Sequence, residues 1–356
     1  MSTVAKFEIE HHQFINKDGK PTQDSLPEFA TNENIMKQFY RDMLLLRAFD
    51  AKAYALQRTG NMGTYPASLG QEAIGVGYGA ALNKEDVLVP YYRSTGGLLQ
   101  HGVSMTEILQ YWGGYEEGSN YKVAREDFPI AVPIATQCLH ATGIATAFKL
   151  RNQARACITE IGEGGTSKGD FYEAINVAGI WNLGVVFIVN NNQWAISVPS
   201  SIQTATETYA QKAVAAGIEG VQVDGNDIVA VHHYAKKALE KARAGGGATL
   251  IECISYRLCD HTTADDAKRY RSDNELEQAW ESEPVLRLKK YIDQQFGQLD
   301  DEQEATMKKE INQHIETAVT EYNQTPQPNV TEIFDHMYET LPQALLEQRE
   351  QAIKRG

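Results

Sequence analysis

Cysteine is scarce in this chain. There are four in 356 residues (Cys138, Cys157, Cys253 and Cys259), widely spaced, with no C-x-x-C pair and no Cys/His cluster of zinc type. A disulfide framework is not expected, and the thiols read as reduced and mostly buried, in a cytosol-like compartment. Long apolar runs are missing too, since none approaches the roughly 20 residues that span a bilayer. The N-terminus MSTVAKFEIEHHQFINKDGK has neither the cationic start nor the apolar core of a signal peptide. The expectation is a cytoplasmic protein that no membrane holds. Positive charge is also short: a net charge of −14 and a pI near 5.2 give a long-range field that repels nucleic acid and anionic membranes. Small molecules or other proteins are the expected partners.

What is present is an ordinary globular composition, 42% hydrophobic and 22% charged, in a chain long enough for a substantial core. Residues 1–30 read as an arm, with a strand over 6–15 and a turn over 17–21. Residues 32–58 carry Ile35, Met36, Phe39, Met43, Leu46 and Phe49 at helical spacing, and 68–82 is a second helix, rich in small residues. A short strand over 86–90 follows. From Pro133 the pattern turns α/β: a strand over 154–161, a helix capped by Asp170, and VVFIVN (185–190), an apolar run of the kind buried on both faces of a parallel sheet. Strand, turn, amphipathic helix and strand continue over 220–257. The spacing predicts right-handed βαβ units in a doubly wound, mostly parallel sheet. From 274 onward the chain reads as charged helices broken at QTPQPN (324–329). The predicted division is an arm (1–30), an α/β domain (31–273) and a C-terminal helical extension (274–356).

Two catalytic patterns overlap in EIGEGGTSKGDFYEAI (160–175). GTSKG matches the G-x-S-x-G nucleophile elbow, but five residues separate the strand end from Ser167, too loose to present a nucleophile, and no HGGG segment supplies an oxyanion hole. Gly162, Gly164 and Ser167 miss the third glycine of the dinucleotide fingerprint, and no G-K-[ST] closes a P-loop. The other pattern is GEG, a carboxylate between glycines. Gly162, Gly164 and Gly165 permit close backbone approach to a diphosphate, and Glu163 could hold the hard cation that neutralises it. A second oxygen ligand should then arrive at the end of the next parallel strand. NNN (190–192) does so, with Asn192 29 positions after Glu163, one helix and one strand later.

Glu163 and Asn192 at this spacing resemble the thiamin diphosphate motif, GDG followed after some 25–30 residues by NN. The longer stretches GEGGTSKGDFYEAINVAGIWN and VVFIVNNNQWAIS, with GQEAIGVGYGAAL, PYYRS, PIATQ, QVDGNDIVAV, ECISYR and HTTADDAKRYRS, resemble the α subunit of the E1 component of 2-oxoacid dehydrogenase complexes over essentially the whole chain. The resemblance implies a thiamin diphosphate-binding fold and a set of roles. Glu163, Asn192 and the main-chain carbonyl of Trp194 would hold Mg²⁺. The amides of Gly164 and Gly165, in the turn that begins at Gly162, would meet the diphosphate, gripped also by Tyr92 and Arg93. Ile134 would lie beside the aminopyrimidine, Thr136 and Gln137 would help a monovalent cation site, and His261 would bind diphosphate or handle the intermediate. Two departures stand out: glutamate replaces the usual GDG aspartate, and residues 112–129 lack the second active-site histidine that many relatives carry.

The same resemblance implies oxidative decarboxylation of a 2-oxoacid and transfer of the acyl group to the lipoyl arm of an E2 acyltransferase. A separate pyrimidine-binding domain must supply a glutamate to the cofactor, and the helical tail is too short to be that domain. The expected partner is an E1 β chain in an α2β2 heterotetramer. GGTSKGDFYEAIN and QKAVAAGIEGVQVDG resemble pyruvate-type members, GEG and PIATQ branched-chain ones. A non-catalytic scaffolding paralogue is the competing class.

Overall fold

The computed structural model describes residues 1–355. Strands β1 (His11–His12), β2 (Val87–Val89), β3 (Cys157–Gly162), β4 (Val185–Asn191), β7 (Glu219–Asp224) and β8 (Thr249–Ile254) form one sheet in the order β1-β7-β8-β4-β3-β2, with every adjacent pair parallel. Between them β5 (Trp194–Ala195) and β6 (Val198–Pro199) make a small antiparallel hairpin just after β4. The helices are α1 (Glu33–Arg58), α2 (Glu72–Gly79), α3 (Thr95–His101), α4 (Met105–Trp112), α5 (Thr136–Leu150), α6 (Gly169–Ile180), α7 (Lys212–Ala216), α8 (Ile228–Arg243), α9 (Asp273–Trp280), α10 (Pro284–Gln295), α11 (Asp301–Asn323), α12 (Glu332–Asp335) and α13 (Gln343–Arg355). The predicted α/β class with a doubly wound parallel sheet is what forms.

Alternation along the central strands builds a core on each face. Ile158, Val186, Ile188, Ile251 and Cys253 point to one side, against α1, α2 and α8; Cys157, Ile161, Val185, Phe187, Val189 and Leu250 point to the other, against α5, α6 and α7. Helices α10 and α11 bury Leu288, Tyr291, Ile292, Ile311 and Ile315 in the first of these cores, whereas no described residue of α13 is fully buried. Among the described residues no helix is long and apolar enough to cross a membrane.

Two expectations need correction. The strand anticipated over 6–15 shrinks to His11–His12, paired with Gln222 and Val223 at the sheet edge. Beyond it the amides of Phe14 and Ile15 leave the sheet to donate to Asp227 Oδ2, at 2.6 and 2.8 Å. Asp170 does not cap α6: the helix begins two residues earlier than that would require, at Gly169, with Lys168 at the cap position and Asp170 inside the first turn, where a carboxylate still complements the helix dipole.

Candidate cofactor and metal site

The strands that carry GEG and NNN lie side by side, with Gly162 paired to Asn190, so both loops leave the same edge of the sheet. That edge is the carboxyl end of the strands, where open α/β sheets form their ligand crevice. A cavity of about 350 Å³ opens there. Its walls include Tyr92, Ile134, Gly162, Glu163, Gly164, Gly165, Asn192, Trp194 and His261. Nine of the ten residues expected to bind cofactor or metal therefore meet in one place, although they span 170 positions of sequence from Tyr92 to His261.

Glu163 is the chemical centre of this wall. It is 1% exposed, opens a 3-10 turn over Glu163–Ser167, and accepts the Asn192 amide on Oε2 at 3.3 Å. Its Oε1 is buried with no hydrogen-bond partner. A buried carboxylate oxygen in that state is costly unless something electropositive arrives. Burial pushes the carboxyl up to about 7. The Asn192 side chain donates Nδ2 to Gln71 Oε1 at 2.9 Å, and its Oδ1 accepts the backbone N–H of Trp194 at 3.2 Å. One carboxylate, one amide oxygen and one carbonyl are hard oxygen donors too few to fill an octahedron, which suits Mg²⁺ completed by water and phosphate. No cluster of three His, Cys, Asp or Glu side chains forms a metal cage among the described residues.

The glycines fit a close backbone approach. A Cβ on Gly164 would lie 2.4 Å from the Cβ of Ala195, and one on Gly165 would lie 2.7 Å from Ile161. Around the rim, Ala135, Gln193 and Ile196 all hold left-handed backbones, with φ of 70°, 72° and 55°. For a β-branched isoleucine this conformation is strained.

Arg93 stands one layer behind the cavity. It is buried, donates Nη1 to the Ala67 carbonyl and Nη2 to the His261 carbonyl at 2.9 Å, and leaves Nε without a partner. Its guanidinium carbon lies 5.5 Å from the centre of the Tyr92 ring. Thr136 opens α5 and is not among the cavity-lining residues, whereas Gln137 lines it and has a buried, unpartnered Oε1. His261 receives two guanidinium contacts on Nδ1, from Arg93 and Arg257, each at 3.3 Å. Guanidinium nitrogens only donate, so Nδ1 is the acceptor and the proton of the neutral ring sits on Nε2. Burial, with the charges of Arg93 and Arg257, lowers this imidazole to about 3.

Ser167 has the side-chain amide of Gln203 as its partner, at 3.4 Å, and no histidine, so the elbow pattern has no structural counterpart. The segment 112–129 places no histidine in the cavity wall; its Asp127 is instead buried and paired with His101 at 2.7 Å.

Sequence reasoning missed two residues. Arg257 is fully buried and clamps the β5–β6 hairpin, donating Nη1 to the Trp194 carbonyl at 3.0 Å and Nη2 to the Ile196 carbonyl at 2.8 Å. Gln71 orients Asn192. The signals were there: an arginine closing the apolar run of β8, and a glutamine just before a helix of small residues.

The family model of the dehydrogenase E1 component matches residues 40–331. Among curated proteins, a pyruvate dehydrogenase E1 component subunit alpha of Staphylococcus aureus is 37% identical over 349 residues, covering 98% of this chain and 93% of that one. The subunit of the same name from Mycoplasma genitalium is 37% identical, covering 96% and 95%. A 3-methyl-2-oxobutanoate dehydrogenase subunit alpha of Mycobacterium tuberculosis also reaches 37%, covering 97% and 94%. The crevice that aligns GEG with NNN and the match along nearly the whole chain lead to one conclusion: this chain belongs to the dehydrogenase E1 component family, with the α subunits of 2-oxoacid dehydrogenases as its relatives.

Proposed function

We propose that the chain is the α subunit of a cytoplasmic pyruvate dehydrogenase E1, active with a β chain in an α2β2 heterotetramer and delivering acetyl groups to the lipoyl arm of an E2 protein. The observation that carries this reading is the buried, unpartnered Glu163 Oε1 at the carboxyl edge of the sheet, in a cavity wall shared with Asn192 and Trp194. Those three would hold Mg²⁺. The Gly164 and Gly165 amides and Tyr92 would receive the diphosphate, with the Arg93 charge held behind them against Tyr92 and His261, and Ile134, 43% exposed at the rim, would lie beside the aminopyrimidine. Gln137 Oε1, buried and free, supports a neighbouring monovalent cation site. Thiamin diphosphate, when bound, supplies the electron sink for loss of CO₂.

The chain's own residues orient and exclude. Arg257 fixes the hairpin that presents the Trp194 carbonyl, Gln71 fixes Asn192, and neutral His261 keeps an Nε2 proton that it can donate beside the cofactor. The division into arm, cofactor domain and helical extension at 30 and 273 belongs to the same reading. The branched-chain alternative has one specific support, the Mycobacterium tuberculosis relative of equal identity.

The test is 2-oxoacid-dependent reduction of an artificial electron acceptor by the co-purified α and β chains with thiamin diphosphate and Mg²⁺, comparing pyruvate with 2-oxoisovalerate. A pyruvate preference and an inactive isolated α chain are expected. Preference for the branched acid moves the substrate assignment, turnover by the α chain alone refutes the need for a partner, and no turnover of either acid favours a scaffolding role.

A further inference from the structure

Lys212, at the start of α7, is 5% exposed and forms no ion pair among the described residues. An ammonium taken out of water without a counter-anion is expensive, so its surroundings call for an explanation. Its Nζ donates to the Thr166 carbonyl at 3.0 Å and to Thr166 Oγ1 at 2.8 Å, and sits 5.1 and 5.4 Å from the ring centres of Tyr172 and Tyr209. Cation–π attraction offsets part of the desolvation. Thr166 is itself fully buried and donates its hydroxyl to the Glu163 carbonyl at 2.6 Å. One ammonium thus holds two carbonyls of the 163–167 turn, one directly and one through the threonine hydroxyl.

The geometry of the peptide bond converts this into an effect on the cavity. In a trans peptide the C=O and the following N–H point in opposite directions. Within the 3-10 turn the later amides are taken up by i→i+3 bonds and those at its start are free; pulling the Glu163 carbonyl towards Lys212 turns the free amide of Gly164 the other way, and Gly164 and Gly165 belong to the cavity wall. Backbone N–H groups aimed into a concavity attract an anion. The positive charge behind the turn adds to their field, and water screens it little because the lysine is buried.

We propose that Lys212 is a positioning residue for anion binding: acting through Thr166, it sets the 163–167 turn so that its amides receive the phosphates of the cofactor. This rests on the reading of the cavity as a thiamin diphosphate site. The experiment uses the α–β complex and measures binding of thiamin diphosphate and of thiamin, each with Mg²⁺, by calorimetry. Lys212→Met is expected to weaken thiamin diphosphate about tenfold, equivalent to about 1.4 kcal/mol, and to leave thiamin unchanged, with Lys212→Arg recovering most of the loss. Thr166→Val should weaken the same ligand, and Thr166→Ser should restore it, which decides the matter if the methionine variant does not assemble. Unchanged affinity in Lys212→Met or in Thr166→Val overturns the proposal, as does an equal loss for thiamin, which would make the lysine a packing residue. If the wild-type complex binds no thiamin diphosphate, the site assignment fails first.

Discussion

Replacing Gly164 by alanine tests the metal geometry with a single methyl group. The new Cβ lies 2.4 Å from the Cβ of Ala195, whereas non-bonded carbons rest about 3.5–4.0 Å apart. The β5–β6 hairpin must therefore retreat from the Glu163–Ser167 turn by about 1 Å or more. Ala195 follows Trp194, whose carbonyl is the third candidate ligand, and Arg257 ties that carbonyl to the rest of the chain. The strain is shared between the hairpin and the turn, at about 1–3 kcal/mol for overpacking of this kind, which lowers the melting temperature by several degrees. Metal sites tolerate ligand displacements of about 0.2 Å, and disturbing what orients a metal ligand typically costs about 10–100-fold in metal affinity. Titrating thiamin diphosphate and Mg²⁺ into the Gly164→Ala complex, with Trp fluorescence or calorimetry, should show a loss of that order. Gly169→Ala, where an added Cβ meets nothing within 4 Å, serves as the control and should bind normally. Wild-type affinity in Gly164→Ala would refute the placement of the Trp194 carbonyl in the metal site.

Two further predictions concern titrating groups. His261, lowered to about 3 by burial and two arginines, should stay neutral in the ligand-free protein from pH 8 to pH 5, and histidine NMR would show one resonance pair that does not move over that range. Because the unfolded ring binds a proton near 6.5 and the folded ring does not, this residue removes stability as pH falls below about 6.5; movement of the resonance near pH 6 would refute the account. Asp227 accepts the amides of Phe14, Ile15, Val229 and Ala230, joining the arm to the start of α8. Asp227→Asn keeps one acceptor oxygen for two of those four, at a cost of about 2–4 kcal/mol by urea unfolding at pH 7, and should speed proteolysis of the arm. Burial raises Asp227 from 3.8 to about 6, so the folded state holds its proton more tightly. Its contribution to stability falls as pH rises from about 4 to about 6, and the variant should lack that slope.

How much of this was legible in the sequence follows from the range of each interaction. The helix over 32–58 and the buried strand over 185–190 were readable because their apolar patterning is local; the structure adds that Asn32 is the cap of the first, accepting the amides of Asn34 and Ile35. The pairing of Glu163 with Asn192 was readable because parallel topology fixes where consecutive strands end. The arm was misjudged because what shapes it, the Asp227 carboxylate, lies more than 200 positions away. Arg257 and Lys212 were invisible for a related reason: each acts on backbone carbonyls, and a carbonyl leaves no mark in the sequence. Arg93 was found by resemblance to a family, and its displacement behind the cavity reflects contacts to Ala67 and His261 that no local pattern encodes.

The left-handed backbones at Ala135, Gln193 and Ile196 carry a consequence for anyone who alters this protein. Each is a non-glycine residue held where glycine rests without strain, and Ala135 and Ile196 are in the cavity wall with Gln193 between two candidate ligands. A search guided by folding stability alone would be drawn to relax these three positions first. Relaxation there frees the rim that aims Asn192 and the Trp194 carbonyl, so the gain in robustness would come out of the site. Selection for heat tolerance and selection for turnover should therefore part company at this rim, and thermostable variants that keep their cofactor are expected to carry their changes elsewhere, on surfaces such as α13 whose residues lie outside the core.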